Sequence, residues 1–271
     1  MRYFRQLASM TWHTLAQLVR APTHSRRALA REYLARRWFI AVAACATVTA
    51  VLMFVFDVGA IILMPTRGTP ALAPLRILTD FGKSSYVLDT LGFVLVAVLL
   101  IAPALRGMAQ SLVIGFGRRV QFIFLAVLLP VLAAELIKGI VGRGRPFVGG
   151  GPNAFNYSPF AGTEAYASFP SSHAVTAFAL AFAVSAVWPR LQVVMWTYAV
   201  MIAITRMVLL AHHPSDVVAG ALLGVVGAMA VRYWFAARHL VFAIGAEGKV
   251  KPLAAPSFQR LKRVAQGPFA P

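Results

Sequence analysis

Eight side chains between Lys138 and Asp216 have the types and spacing needed to hold and attack a phosphate. The first group lies in Lys138-Gly-Ile-Val-Gly-Arg143-Gly-Arg145-Pro146. If a helix continues through it, Lys138 and Arg145 sit two turns apart on one face, where they can grip an anion. The second group is Phe169-Pro170-Ser171-Ser172-His173. Proline followed by serines reads as a helix start, and the free N–H groups of a first turn bind phosphate. The third runs from Thr205-Arg206 to His212-His213-Pro214-Ser215-Asp216. Arg206 interrupts an apolar run, where a charge is costly and usually functional. His212 and Asp216 are four apart, and a carboxylate bonded to one ring nitrogen leaves the other nucleophilic. Pro214 breaks any continuous helix, so that pair must meet through a turn. Three cations, helix N–H groups, two histidines and a carboxylate suit phosphoryl transfer, which needs positioning and charge neutralisation. Taken singly, each group also reads as ordinary snorkelling or capping at a membrane interface.

The elements that must position these residues are apolar. Six stretches approach the ~20 residues a span requires: Trp38–Phe56, Leu88–Leu105, Val120–Ile137, Ser172–Trp188, Leu191–Ala211 and Val217–Ala236. Pro130 predicts a kink in the third. The first has no small-residue cleavage site and reads as a retained helix. Between spans, residues 57–87 carry three prolines and an apolar segment, Ala60–Met64, that reads as an interfacial helix. Residues 146–171 form a second long loop, placed to shape head-group choice. The expected class is all-α: a polytopic membrane protein with six transmembrane helices plus interfacial helices. Its parts are a basic segment 1–37, a six-span domain 38–236 and a basic tail 237–271.

Charge sets the orientation. The chain has 271 residues, 59% of them hydrophobic and only 13% charged, yet its net charge is +18. Its mean hydropathy is +0.73. Such a composition excludes disorder, coiled coil, collagen and disulfide scaffolds. With the N-terminus in the cytoplasm, Lys and Arg number eight in 1–37, three in 106–119, Arg190, and seven from Arg232 onward. That is 19 of the 26 on one side, so both termini are expected inside. All three motifs then fall at outer span ends. Asp57, Asp80 and Asp89 are expected to mark the outer water boundary. Leu7, Trp12, Leu15, Leu18 and Val19 among arginines read as an amphipathic helix on anionic lipid. Cys45 is alone and reads as a small apolar filler.

The sequence resembles the type 2 phosphatidic acid phosphatase family, relatives of the vanadium haloperoxidases. The family pattern is K-x6-R-P, P-S-G-H and S-R-x5-H-x3-D. Lys138, Arg145 and Pro146 match the first piece; Pro170, Ser171 and His173 the second; Arg206, His212 and Asp216 the third. Ser172 stands in place of the usual glycine and Thr205 in place of the usual serine. The resemblance implies that His212 attacks phosphorus and forms a phosphohistidine, while Asp216 orients it. It implies that His173 protonates the leaving group and then activates water. Lys138, Arg145, Arg206, Ser171 and the Ser172 N–H would bind the phosphate. No metal or other cofactor is implied. Outside the pattern, His213 is expected to be structural, and Glu135 to pair with Lys138 or to be an interface acid.

The function expected is a phosphatase acting on a membrane lipid phosphate at the periplasmic face of a bacterial inner membrane. Undecaprenyl diphosphate, phosphatidylglycerophosphate, phosphatidic acid and lipid A phosphates are the candidate substrates. A lipid phosphotransferase using the same phosphohistidine is the alternative, and a non-enzymatic lipid transporter is the third reading. Motifs clustered at one face argue against the transporter, whose sites sit near the midplane. The partners expected are the lipid substrate and the anionic lipid surface, with no nucleic acid and no obligate protein partner.

Overall fold

The computed structural model describes residues 2–22, 24–245 and 248–253. Nine α-helices occur among them: α1 (Arg2–Val19), α2 (His24–Val51), α3 (Asp57–Leu63), α4 (Ala73–Asp80), α5 (Ser84–Ile101), α6 (Gly107–Val141), α7 (Ser172–Val187), α8 (Gln192–Val208) and α9 (Pro214–Ala237). Most of the helical residues are Ala, Leu, Val, Ile and Phe, which leave no polar side chain to compete with the backbone ladder. Prolines start helices rather than interrupt them at Pro70, Pro189 and Pro214, where a missing N–H costs nothing. Pro130 alone lies inside a long helix, α6.

Among the described residues, five helical segments are long and apolar enough to cross a bilayer: Ala35–Leu63, Pro70–Ala104, Gly107–Val141, Pro189–Val208 and Pro214–Ala237. Helix α7 has 16 residues, about 24 Å at 1.5 Å per residue, short of a ~30 Å hydrocarbon core. The expected fourth span is therefore present as a helix but below spanning length. Ala60–Met64 is not a separate interfacial helix. A π-helical stretch, Leu52–Phe56, joins α2 to α3, so the first apolar segment runs on to Leu63. Residues 237–271 also depart from an all-α chain, because Phe242–Ile244 (β1) and Val250–Pro252 (β2) pair as an antiparallel hairpin. The rest of that basic tail, 254–271, lies outside the described residues.

The chain divides into two compact units. One comprises Met1–Arg31, Thr90–Phe124 and Arg232–Pro271. There α1 is held by polar ties: the Tyr3 hydroxyl donates to Leu100 O (2.7 Å) and the Trp234 indole to Leu18 O (3.0 Å). Phe122 packs edge-on against Phe235 and Phe242, and all three rings are fully buried.

The other unit comprises Glu32–Asp89 and Leu125–Val231 and holds every candidate site residue. Alanines make its close packing possible: Ala174, Ala177 and Ala181 of α7 meet Ala199, Ile202 and Ala203 of α8. Helix α9 approaches α7 through Gly220 and Gly224. A Cβ at Gly220 would stand 2.6 Å from Ser171 O, and one at Gly224 2.4 Å from Val175 O. Small residues four apart let two backbones touch in this way. The consequence is positional: the starts of α7 and α9 are locked together, and the Ser171 N–H donates to Asp216 O at 3.0 Å.

Candidate active site

Six of the eight predicted residues line one pocket of about 170 Å³: Lys138, Arg145, Ser172, His173, Arg206 and His212. Lys83, Ser84, Ser85 and Glu135 complete its wall. Ser171 and Asp216 lie behind it, fully buried.

Lys138 reaches the pocket from the last turn of α6. Arg145 does not arrive by continuation of that helix, as the seven-residue spacing suggested. The helix stops at Val141, and Gly142 turns the chain with φ +57°. A Cβ there would stand 2.0 Å from Ser158 O, so only glycine fits the turn. Beyond it, residues 142–145 run as a strap between two loop segments. Ser158 N–H donates to Gly142 O (2.7 Å), Gly144 N–H to Asn156 O (2.8 Å), Arg145 N–H to Ala165 O (2.8 Å) and Ser168 N–H to Arg143 O (3.0 Å). The 146–171 loop thus fixes Arg145 through backbone bonds.

Ser171 is the N-cap of α7, and His173 lies in the first turn, as expected. The Ser171 hydroxyl makes no cap bond. Among the described residues, buried Ser171 Oγ, His173 Nε2, Arg145 Nε and Arg206 Nε all lack a hydrogen-bond partner. Buried polar groups are seldom left so, and a phosphate, with oxygens that accept from several donors at once, fits such a set. Arg206 is 8% exposed, and its Nη1 donates to Thr79 Oγ1 at 2.9 Å. Thr79 and the nearby Gly82 carry no motif and were not foreseen. A Cβ at Gly82 would lie 2.5 Å from Ile202 and 3.3 Å from the His173 ring.

His212 sits in the turn between α8 and α9. Leu210, at φ +51°, reverses the chain there, and the Arg67 guanidinium donates to its carbonyl. His212 Nδ1 lies 2.7 Å from Ser168 O. A carbonyl only accepts, so Nδ1 carries the proton and Nε2 holds the free lone pair. Burial, then the positive charge of Arg206, holds this imidazole well below its ordinary pKa, against the opposing pull of Asp216.

The sequence reading differs from the structure at Asp216. Among the described residues its carboxylate makes no bond to the His212 ring. Oδ2 instead accepts from Ser168 Oγ (2.6 Å), the His213 N–H (2.8 Å) and His213 Nδ1 (3.1 Å). Oδ1 accepts from Arg143 Nη1 at 2.5 Å. The helix start explains this. Asp216 stands three residues after His213, and an acid in that place reaches back to the cap N–H. Ser168 makes the link, giving its hydroxyl to Asp216 and its carbonyl to His212.

Asp57 does not mark the water boundary. It is fully buried, and its Oδ2 accepts from Arg143 Nη2 at 2.7 Å. Ser215 bonds both partners: its N–H donates to Asp57 Oδ1 (3.0 Å) and its hydroxyl to Asp57 Oδ2 (2.5 Å), while Arg143 Nη1 donates to Ser215 Oγ (2.7 Å). Burial opposes the Arg143 charge, but Asp216 and Asp57 outweigh it and raise its pKa. The only sequence hint was an arginine between two glycines and an acid at the end of an apolar run. Glu135 does pair with Lys138, Oε1 to Nζ at 3.0 Å.

The PAP2 superfamily profile matches residues 120–240. A lipid A 1-phosphatase of Rhizobium johnstonii is 31% identical over 191 residues, 68% of this chain and 78% of that protein. A lipid A 1-phosphatase of Rhizobium etli is 30% identical over 182 residues, 64% and 75% of the two chains. The crystal structure of a transmembrane PAP2 type phosphatidylglycerolphosphate phosphatase from Bacillus subtilis is 19% identical and covers 74% of this chain and 92% of its own, with a TM-score of 0.41. The profile match and the Rhizobium relatives make this chain a member of the PAP2 superfamily, a multi-pass membrane lipid phosphatase.

Proposed function

We propose that the protein removes the phosphate from the reducing-end sugar of a lipid A-type glycolipid, at the periplasmic face of a bacterial inner membrane. The observation that carries the chemistry is the pocket itself: Lys138, Arg145 and Arg206 converge there with His173 and with a His212 whose Nδ1–H is tied to Ser168 O. Relatives named lipid A 1-phosphatase over most of the chain support the substrate. The charge asymmetry supports an orientation with both termini inside, which requires an even number of crossings and so makes α7 a short sixth one.

The three cations neutralise the phosphoryl oxygens. His212 Nε2 attacks phosphorus, the bond to the sugar oxygen breaks, and protonated His173 gives that oxygen its proton. A phosphohistidine remains. Neutral His173 then takes a proton from water, whose oxygen attacks phosphorus. The P–N bond breaks, inorganic phosphate leaves, and both imidazoles are restored. Asp216 acts on His212 through Ser168, whose carbonyl it helps to aim.

The test is phosphate release by the purified protein from lipid A 1-phosphate, phosphatidic acid, phosphatidylglycerophosphate and undecaprenyl diphosphate, with chelator present. Fastest release from lipid A 1-phosphate is expected. Equal release by wild type and His212→Ala would contradict the mechanism. Label appearing on a second lipid instead of in free phosphate would make the protein a phosphotransferase.

A further inference from the structure

Among the described residues, Glu135 is the one acid lining a pocket that also holds Lys83, Lys138, Arg145 and Arg206. A carboxylate beside a phosphate site repels the substrate, so its presence calls for a reason. It is firmly held. Oε1 accepts from Lys138 Nζ (3.0 Å) and from the Ser172 hydroxyl (2.6 Å), and Lys138 Nζ also donates to Ser172 Oγ. Serine at position 172, in place of glycine, supplies the hydroxyl that closes this triangle. Both bonds use Oε1, and Oε2 has no partner among the described residues. The side chain is 54% exposed.

A fixed carboxylate oxygen can only accept. A phosphate on an alcohol with no nearby donor offers it repulsion alone. A head group with an N–H or O–H on the carbon next to the phosphorylated one offers a charge-assisted hydrogen bond. We propose that Glu135 reads the head group by accepting from such a vicinal donor, so that the pocket selects phosphates flanked by one. This deepens the substrate reading above and rests on the same pocket. Lipid A 1-phosphate has a vicinal amide N–H, and phosphatidylglycerophosphate a vicinal hydroxyl. Phosphatidic acid, whose neighbouring oxygen is esterified, has neither.

The experiment measures kcat/KM for these three lipids in mixed micelles, with full-length wild type, Glu135→Ala and Glu135→Gln. Any change in how Lys138 is held acts on all three lipids alike, so the ratio to phosphatidic acid isolates the head-group contact. In Glu135→Ala the ratio should fall about tenfold or more, as expected for a lost hydrogen bond to a charged acceptor. Glu135→Gln keeps the side-chain volume and a carbonyl acceptor, and its ratio should fall about threefold, as a neutral acceptor binds less strongly. If it alone folds, it decides the matter. The lipid whose ratio falls more shows whether the donor is amide or hydroxyl. Ratios that stay within about twofold in both variants would overturn the proposal and leave the lipid A reading standing. Wild type that ignores lipid A 1-phosphate but prefers phosphatidylglycerophosphate through Glu135 would do the reverse.

Discussion

In the proposed mechanism the chemistry turns on His212 and His173. Replacing either with alanine should lower kcat by roughly 10³-fold or more, because each belongs to a unit that acts together; phosphate release from detergent-solubilised protein checks this. Protonation of His212 gives a second expectation. Its free-enzyme pKa lies well below 6.5, so Nε2 keeps its lone pair as the pH falls through that value. The acid limb of kcat/KM, corrected for substrate ionisation, should therefore lie below pH 6.5. The stability sign follows the same shift. The unfolded chain takes up this proton near its ordinary value and the folded chain does not, so stability declines as pH falls below it. The motif residues were legible in the sequence because their types are unusual in an apolar chain. The roles of Ser168, Thr79 and Gly82 were not, since a serine, a threonine and a glycine in loops or helix ends have no pattern of their own. The partner of Asp216 was misread for a related reason: a four-residue spacing does not say which of two adjacent histidines the turn presents.

At the scale of elements, the strap 142–145 and the α8–α9 turn set the geometry. Gly142→Ala adds a Cβ into Ser158 O at a positive φ. It should destabilise the protein by more than about 1 kcal/mol and lower kcat with it, as Arg145 is displaced; thermal unfolding in detergent together with kinetics measures both. Asp57, Arg143 and Asp216 form a fully buried ion-pair network. Removing one partner leaves an uncompensated charge, so Asp57→Ala should cost roughly 3–5 kcal/mol. Arg143→Lys keeps the charge but loses the fork that reaches both acids. It should lie between wild type and Asp57→Ala in thermal stability. Helix existence was readable from apolar runs and prolines. The long-range pairing of Asp57 with Arg143 was not, because it depends on tertiary packing across 86 residues of sequence.

For the whole molecule, hydropathy and charge carried most of the information. They identified a membrane protein, and five helices meet the spanning requirement. Helix α7 falls short of that requirement by length, and five of its alanines are fully buried inside the protein. Hydropathy and charge missed the β1–β2 hairpin, which lies in a basic tail with no strand alternation. The net charge of +18 reads as an orientation signal. Protease-cleavable tags at either terminus should therefore be protected in intact spheroplasts and cut only after lysis. Cleavage of either tag in intact spheroplasts would contradict two cytoplasmic termini. The central claim, covalent catalysis by His212, is tested most directly by rapid acid-free quenching of the enzyme with lipid carrying ³²P at the scissile phosphate. Alkali-stable, acid-labile label is expected on the wild-type chain and none on His212→Ala. Label that persists on His212→Ala, or hydrolysis without any labelled chain, would contradict covalent catalysis by His212.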